Sequence, residues 1–333
     1  MKKWFLAFLY SCSMIQFSYS QEVNIQPLDP LLTNFAYPFP VKFITIADQQ
    51  GNYKMAYMDI PPIKPNGRTV LLFHGKNFSG AYWEETARAL QKEGYRVIIP
   101  DQLGFGKSSK PTSIQYSFQL LANNTKALLD TLGLTRITAL GHSMGGMLAT
   151  RFGLMYPAIV EKLVLENPIG LEDWKLKVPY QTVDVWYKNE LSQTYLKIKT
   201  YQKESYYHGE WKPEFEKWVT MLAGWTMHPD FKIIAWNSAL TYDMIFTQPV
   251  VYEFERIKAP TLLIIGQLDR TALGKQQVPD DVRKTMGDYP KLGKAIHQKI
   301  QGSVLIELEN VGHLPHIEAF DQFIKPLLEF LKK

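Results

Sequence analysis

An α/β architecture, a mostly parallel sheet covered by helices on both faces, follows from three features of this chain. Its apolar runs are short and uninterrupted, as strands buried on both faces must be. They alternate with stretches of helical period that stop at glycine or proline. A long aromatic stretch without any apolar strand divides that alternation into two parts. With 333 residues, 46% hydrophobic and 21% charged, the chain can build a large core and is too apolar to be disordered.

The first twenty residues read as a signal peptide rather than as part of the fold. Lys2 and Lys3 form a basic start, residues 4–17 are largely apolar, and Ser18-Tyr19-Ser20 resembles a cleavage site before Gln21. That apolar stretch is shorter than the ~20 residues needed to cross a bilayer. The expected location is therefore periplasmic or secreted. Cleavage would remove Lys2 and Lys3, taking the net charge from +5 to +3, and also Cys12, the single cysteine. The mature chain would then have no disulfide. Leu9-Tyr10-Ser11-Cys12 also faintly resembles a bacterial lipobox, which would make Cys12 a lipid anchor, although Tyr10 and the short preceding stretch fit poorly.

After an extended lead containing Pro27, Pro30, Pro38 and Pro40, residues 41–47 and 53–60 read as strands joined by the turn residues 48–52. This hairpin should supply an antiparallel edge. Residues 69–73 form the next strand, a helical stretch over 82–92 ends at Gly94, and 96–99 is again a strand. Over residues 117–132, Phe118, Leu121, Thr125, Leu128 and Leu132 share one face, and Gly133 stops the helix. A strand at 137–140, a helix ending before Pro157 and a strand at 160–166 complete the first part. Residues 171–250 then hold six of the eight tryptophans and read as a helical insertion after the sixth strand. The sheet resumes with 261–265 and 304–308, and a last helix buries Phe320, Phe323, Ile324, Leu327, Leu328 and Leu331. The organisation is thus a signal peptide at 1–20, a core at 21–170 and 251–333, and a helical cap at 171–250.

Several function classes are excluded at this level. A net charge of +5 without Lys/Arg runs beyond pairs gives no electrostatic footprint for nucleic acid. One cysteine and seven scattered histidines show no metal-ligand spacing.

The chemistry centres on Gly141-His142-Ser143-Met144-Gly145-Gly146, which lies where a strand turns into a helix. The flanking glycines permit the strained turn that exposes a serine at a strand end. Met144 opens the helix, so its N–H points at the anion formed when Ser143 attacks a carbonyl. Such a serine needs a base that is itself oriented by an acid. Asp269 follows the strand at 261–265, and His313 follows the strand at 304–308. His316 rivals His313 but lies farther from its strand end. All three candidates sit beyond the carboxyl ends of parallel strands, where open α/β sheets place their sites.

With these residues the chain resembles the α/β-hydrolase family over essentially all of its mature length. The resemblance is carried by His74-Gly75-Lys76-Asn77, by Asp101, Gly104, Gly106 and Ser108, by the Ser143 turn, by Asp269, and by Gly312-His313 with Glu318. It implies that Lys76 N–H joins Met144 N–H as an oxyanion donor, that the insertion covers the site, and that no cofactor is required. His74 and the segment from Asp101 to Ser108 are expected to be architectural, and the Lys76 side chain to be a solvated loop lysine. Most of the insertion's tryptophans should form its own core. Epoxide hydrolases and haloalkane dehalogenases of the family carry aspartate where Ser143 stands, and Asn77 replaces the proline of the epoxide-hydrolase pattern. The His-Gly-Gly-Pro-Gly pattern of proline iminopeptidases is also absent.

The resulting expectation is a serine hydrolase of small-to-medium carboxylic esters with a hydrophobic acyl or aryl group, using Ser143, His313 and Asp269. C–C bond hydrolysis and cofactor-free perhydrolysis use the same triad and remain alternatives, though an export signal speaks against the first. From another class, a non-catalytic ligand-binding protein could keep this fold, and the intact triad speaks against it.

Overall fold

The computed structural model describes residues 25–333, so the segment expected to be a signal peptide, with Cys12, lies outside the described residues. Within them the strands are β1 (Val41–Asp48), β2 (Gly51–Ile60), β3 (Thr69–Phe73), β4 (Arg96–Pro100), β5 (Ile137–His142), β6 (Val160–Glu166), β7 (Thr261–Gly266) and β8 (Val304–Leu308). They form one sheet in the order β1-β2-β4-β3-β5-β6-β7-β8. From β4 to β8 all neighbours are parallel, while the β1–β2 hairpin joins antiparallel through Tyr57–Ile60 against Val97–Pro100.

The helices of the two core segments are α1 (Glu84–Lys92), α2 (Phe118–Thr131), α3 (Met144–Met155) and, after the insertion, α8 (Asp280–Arg283), α9 (Tyr289–Lys299), α10 (Pro315–Glu318) and α11 (Phe320–Lys332). The insertion contributes α4 (Val183–Leu191), α5 (Tyr195–Tyr201), α6 (Glu216–Thr226) and α7 (Phe231–Thr247), with a π-turn at Gln202–Tyr206. It contains no strand among the described residues.

Alternation along the strands divides the core in two. Leu71, Phe73, Ala139, Leu163, Leu165, Leu263 and Ile265 face the side covered by α2, α3 and α9. Val70, Leu72, Leu140, Val164, Leu262 and Ile264 face the side covered by α1 and α11. This explains why β3, β5 and β7 are buried at every residue, as expected of a sheet covered on both faces. The edge strand β1 leaves Lys42, Phe43, Thr45 and Ala47 exposed and buries only Ile46.

Three details differ from the sequence reading. The helix expected over residues 82–92 starts as a 3₁₀ turn at Gly80–Trp83, where the Ser79 hydroxyl caps Ala81 N–H. β5 continues two residues past Leu140, so that Ser143 follows the strand directly. In α11, Phe330 is buried together with Phe323, Leu327 and Leu331, while Phe320, Ile324 and Leu328 pack only at its margin. The proline-rich lead is also more than a connector. Leu28 N–H donates to Gly224 O at 2.9 Å, Trp225 Nε1–H to Asp29 O at 3.0 Å, and Tyr37 Oη–H to Asp101 at 2.6 Å. It therefore ties the inserted α6 to the core.

Candidate active site

Ser143 occupies the residue between β5 and α3 with φ +57° and ψ −122°, a conformation that a non-glycine residue adopts only where its surroundings enforce it. The strain sits on the serine itself, and the glycines permit the turn through close backbone approach rather than through a positive φ of their own. A Cβ at Gly141 would lie 2.0 Å from Gly145 O, and a Cβ at Gly145 would lie 2.2 Å from Phe73 O. These positions must be glycine because α3 starts in direct contact with the ends of β5 and β3. Gly145→Ala is therefore expected to destabilise the fold by about 3 kcal/mol or more, read as a lower urea midpoint, because rigid backbone has to move.

Around this turn the structure brings the three predicted side chains together. Ser143 Oγ lies 3.0 Å from His313 Nε2, and His313 Nδ1 lies 2.7 Å from Asp269 Oδ2. A carboxylate only accepts, so Nδ1 carries the proton and Nε2 is left to accept from the Ser143 hydroxyl. Asp269 and His313 are almost completely buried, and Ser143 is 7% exposed. The Asp269 carboxylate is further fixed by Thr271 N–H on Oδ1 at 2.7 Å and by Asn167 Nδ2–H on Oδ2 at 2.7 Å. Asn167 Oδ1 in turn accepts from Gly266 N–H at 2.9 Å.

A second chain of hydrogen bonds runs beneath the first. His142 Nε2 lies 2.7 Å from the His313 carbonyl, which can only accept, so Nε2 is protonated. Its Nδ1 then accepts from Tyr82 Oη–H at 3.0 Å, and Tyr82 Oη accepts from Gly75 N–H at 2.8 Å. Burial, aided by the neighbouring His313 and His316, holds the His142 pKa well below its ordinary value, consistent with a neutral ring. The Gly75 loop and the His313 loop are thus joined through the residue before the serine. From the other side, the π-turn clamps His313: Tyr206 O accepts from His313 N–H at 2.8 Å, and the Tyr206 ring stacks on the imidazole at 4.8 Å. Asn77 Nδ2–H donates to Tyr206 Oη at 2.8 Å.

The remaining predicted residues fall as follows. Met144 is the first residue of α3, so its N–H lies outside the internal helix ladder, and Lys76 N–H takes no part in the backbone pairing. His74 is fully buried, with Nε2 accepting from Gln102 N–H, in an architectural place. Asp101 accepts from Gly80 N–H, Lys107 N–H and Tyr37 Oη–H, which fixes the loop that begins there. His316, the rival base, instead packs on Trp83 and pairs through Nδ1 with Glu166 at 2.8 Å.

The expectation for the Lys76 side chain is overturned. It is half-buried and held in place rather than free in solvent: its Nζ lies against a cavity, donates to Ser238 Oγ at 2.6 Å and sits 3.4 Å from the centre of the Tyr242 ring. Ser238 Oγ–H passes to Glu190 Oε2 at 2.7 Å. Burial pushes the Lys76 pKa down to about 8, against the pull of Glu190. The reason is topological, since α4 and α7 of the insertion close over the loop after β3. Among the insertion's six tryptophans, Trp174, Trp186, Trp218 and Trp225 are buried, and only Trp225 lines the cavity.

Glu318, close to the His313 loop, shows the cost of a buried carboxyl. Burial first, and then nearby Asp269, raise its pKa from the usual 4.5 to about 7, against the lowering effect of the Gly312 and Leu314 N–H groups and His313. A folded-state pKa above the unfolded one means that stability falls as pH rises between these two values. Glu318→Gln is accordingly expected to raise the thermal midpoint at pH 8, by on the order of 1 kcal/mol of stability, and to give no gain at pH 4.

Comparison with known proteins places this arrangement. A family model described as "alpha/beta hydrolase fold" matches residues 68–319. The crystal structure of a probable hydrolytic enzyme from Pseudomonas aeruginosa PAO1 superposes with a TM-score of 0.92 at 51% identity, covering 93% of this chain and 99% of that one. Lipase 1 of Psychrobacter immobilis is 28% identical over 290 residues, 85% of this chain and 81% of that protein. Lipase 3 of a Moraxella strain is 26% identical over 287 residues, 84% of this chain and 80% of that protein.

Proposed function

This chain belongs to the alpha/beta hydrolase fold family, and from that premise we propose that it is a serine hydrolase of small-to-medium carboxylic esters with a hydrophobic acyl or aryl group. The observation that carries this reading is the unbroken relay from Ser143 Oγ through His313 to Asp269. Ser143 Oγ attacks the acyl carbon as its proton moves to His313 Nε2. The negative charge on the carbonyl oxygen is held by the N–H groups of Met144 and Lys76. When the ester C–O bond breaks, the leaving alkoxide takes the proton from His313. Water then attacks the acyl-enzyme, gives one proton to His313 and releases the acid, and that proton returns to Ser143 Oγ.

The inserted helices act as the cap over this chemistry. In support, a cavity of about 640 Å³ adjoins the site at Lys76 and Asn77 and is walled mainly by insertion residues, among them Ile198, Trp225, Phe231 and Ile234. That size and lining suit an apolar chain of modest length. We place the enzyme outside the cytoplasm, on the strength of the basic start, apolar stretch and small-residue cleavage site of residues 1–20. The test is to label residues 21–333 with a fluorescent fluorophosphonate and to follow p-nitrophenyl butyrate hydrolysis. Labelling and turnover that both depend on Ser143 are expected, and absence of both overturns the reading.

A further inference from the structure

We propose that the cavity reached at Lys76 and Asn77, beside the Ser143 turn, contains a subsite for an anionic group, formed by the Lys76 ammonium, which selects esters whose acyl chain ends in a carboxylate. The proposal rests on the ester-hydrolase reading and narrows its substrate class.

The observation behind it is a half-buried cation on the cavity wall without a direct counter-ion. Lys76 Nζ has one hydrogen bond, to the neutral Ser238 hydroxyl, and lies on the Tyr242 ring. Glu190 is reached only through Ser238, and no carboxylate among the described residues stands within ion-pair distance of Nζ. An ammonium withdrawn from water is costly until an anion meets it, and the remaining Nζ protons have no protein acceptor.

The intervening walls decide the rest of the ligand. Ile198, Phe231 and Ile234 give the cavity an apolar stretch against which an aliphatic spacer fits, while Glu190 and Glu204, which also border it, leave Lys76 as the place for the charged end. Because Lys76 also supplies a proposed oxyanion donor, one residue would grip both ends of the acyl group. The acyl half stays bound through both steps of the reaction, so a carboxylate there is recognised throughout. The ligand class is therefore the half-ester of a linear dicarboxylic acid.

The test separates binding from turnover by using Ser143→Ala protein. Monomethyl adipate and methyl hexanoate, which share chain length and differ in the terminal charge, are titrated calorimetrically. The half-ester is expected to bind roughly tenfold tighter or better, as a charge-assisted hydrogen bond provides. Adding Lys76→Met should abolish that preference, and Lys76→Arg should keep most of it. Equal binding of the two esters to Ser143→Ala protein overturns the subsite whether or not any second variant folds. So does a preference that survives Lys76→Met. Selective binding of monomethyl adipate without its hydrolysis by the native enzyme would leave the subsite standing and refute the ester-hydrolase reading. Hydrolysis of both esters with no binding preference does the reverse.

Discussion

Ser143→Ala is expected to reduce ester turnover on the order of 10⁶-fold in kcat, close to the loss seen when a serine nucleophile is removed from such a triad. The change deletes only Oγ, which has one polar contact, His313 Nε2 at 3.0 Å. The φ of +57° is held by the close packing of Gly141 and Gly145 rather than by the hydroxyl, so the turn should persist. Thermal unfolding of the variant should therefore stay near that of the parent while p-nitrophenyl butyrate hydrolysis falls to background. Fluorophosphonate labelling should vanish with it. A variant that folds and keeps more than about a tenth of the activity would remove Ser143 from the role of nucleophile, because no binding effect alone spans so many orders of magnitude.

The sequence made the sheet readable because each strand is a local signal. Residues 69–73, 160–166 and 304–308 are mostly apolar segments of strand length bounded by breakers, and their ends coincide with β3, β6 and β8. The Ser143 turn was equally legible, since its glycines stand two positions either side. Asp269 and His313 needed one more rule, that polar residues just past parallel strands converge. The same rule applied to β6 would have found Asn167, which directly follows Glu166 and holds both Asp269 and Gly266. What no local pattern reveals is a contact made across the fold. Lys76 reads as a loop lysine until Ser238, 162 residues away, is folded over it. Gln202 looks like one more polar residue on an amphipathic helix, and only the π-turn and the packing above it leave its amide buried and unpaired. His142 and Tyr82 belong to this group too, because their pairing depends on how the Gly75 and His313 loops meet.

Asp269→Asn should cost roughly 10³- to 10⁴-fold in kcat with little change in KM, and the hydrogen bonds around Asp269 explain why. Both carboxylate oxygens face donors: Oδ1 receives Thr271 N–H, and Oδ2 receives Asn167 Nδ2–H and His313 Nδ1–H. An amide offers one oxygen and one NH₂ to the same positions, so either orientation opposes a donor with a donor. With the NH₂ on the Oδ1 side, Thr271 N–H loses its acceptor, and His313 keeps its tautomer but loses the negative charge that steadies the imidazolium. With the NH₂ on the Oδ2 side, it donates to His313 Nδ1, which moves the ring proton to Nε2. An Nε2 that already carries a proton cannot accept one from Ser143, so the nucleophile is never activated. Both orientations impair the chemical step, and neither touches the cavity at Lys76 and Asn77. Steady-state kinetics against p-nitrophenyl butyrate, with circular dichroism as the control for folding, distinguishes this from a merely structural acid. A loss below about tenfold, or a rise in KM with kcat preserved, would mean that His313 is oriented by its clamp between Tyr206 and His142, and that Asp269 is dispensable to the proton transfer.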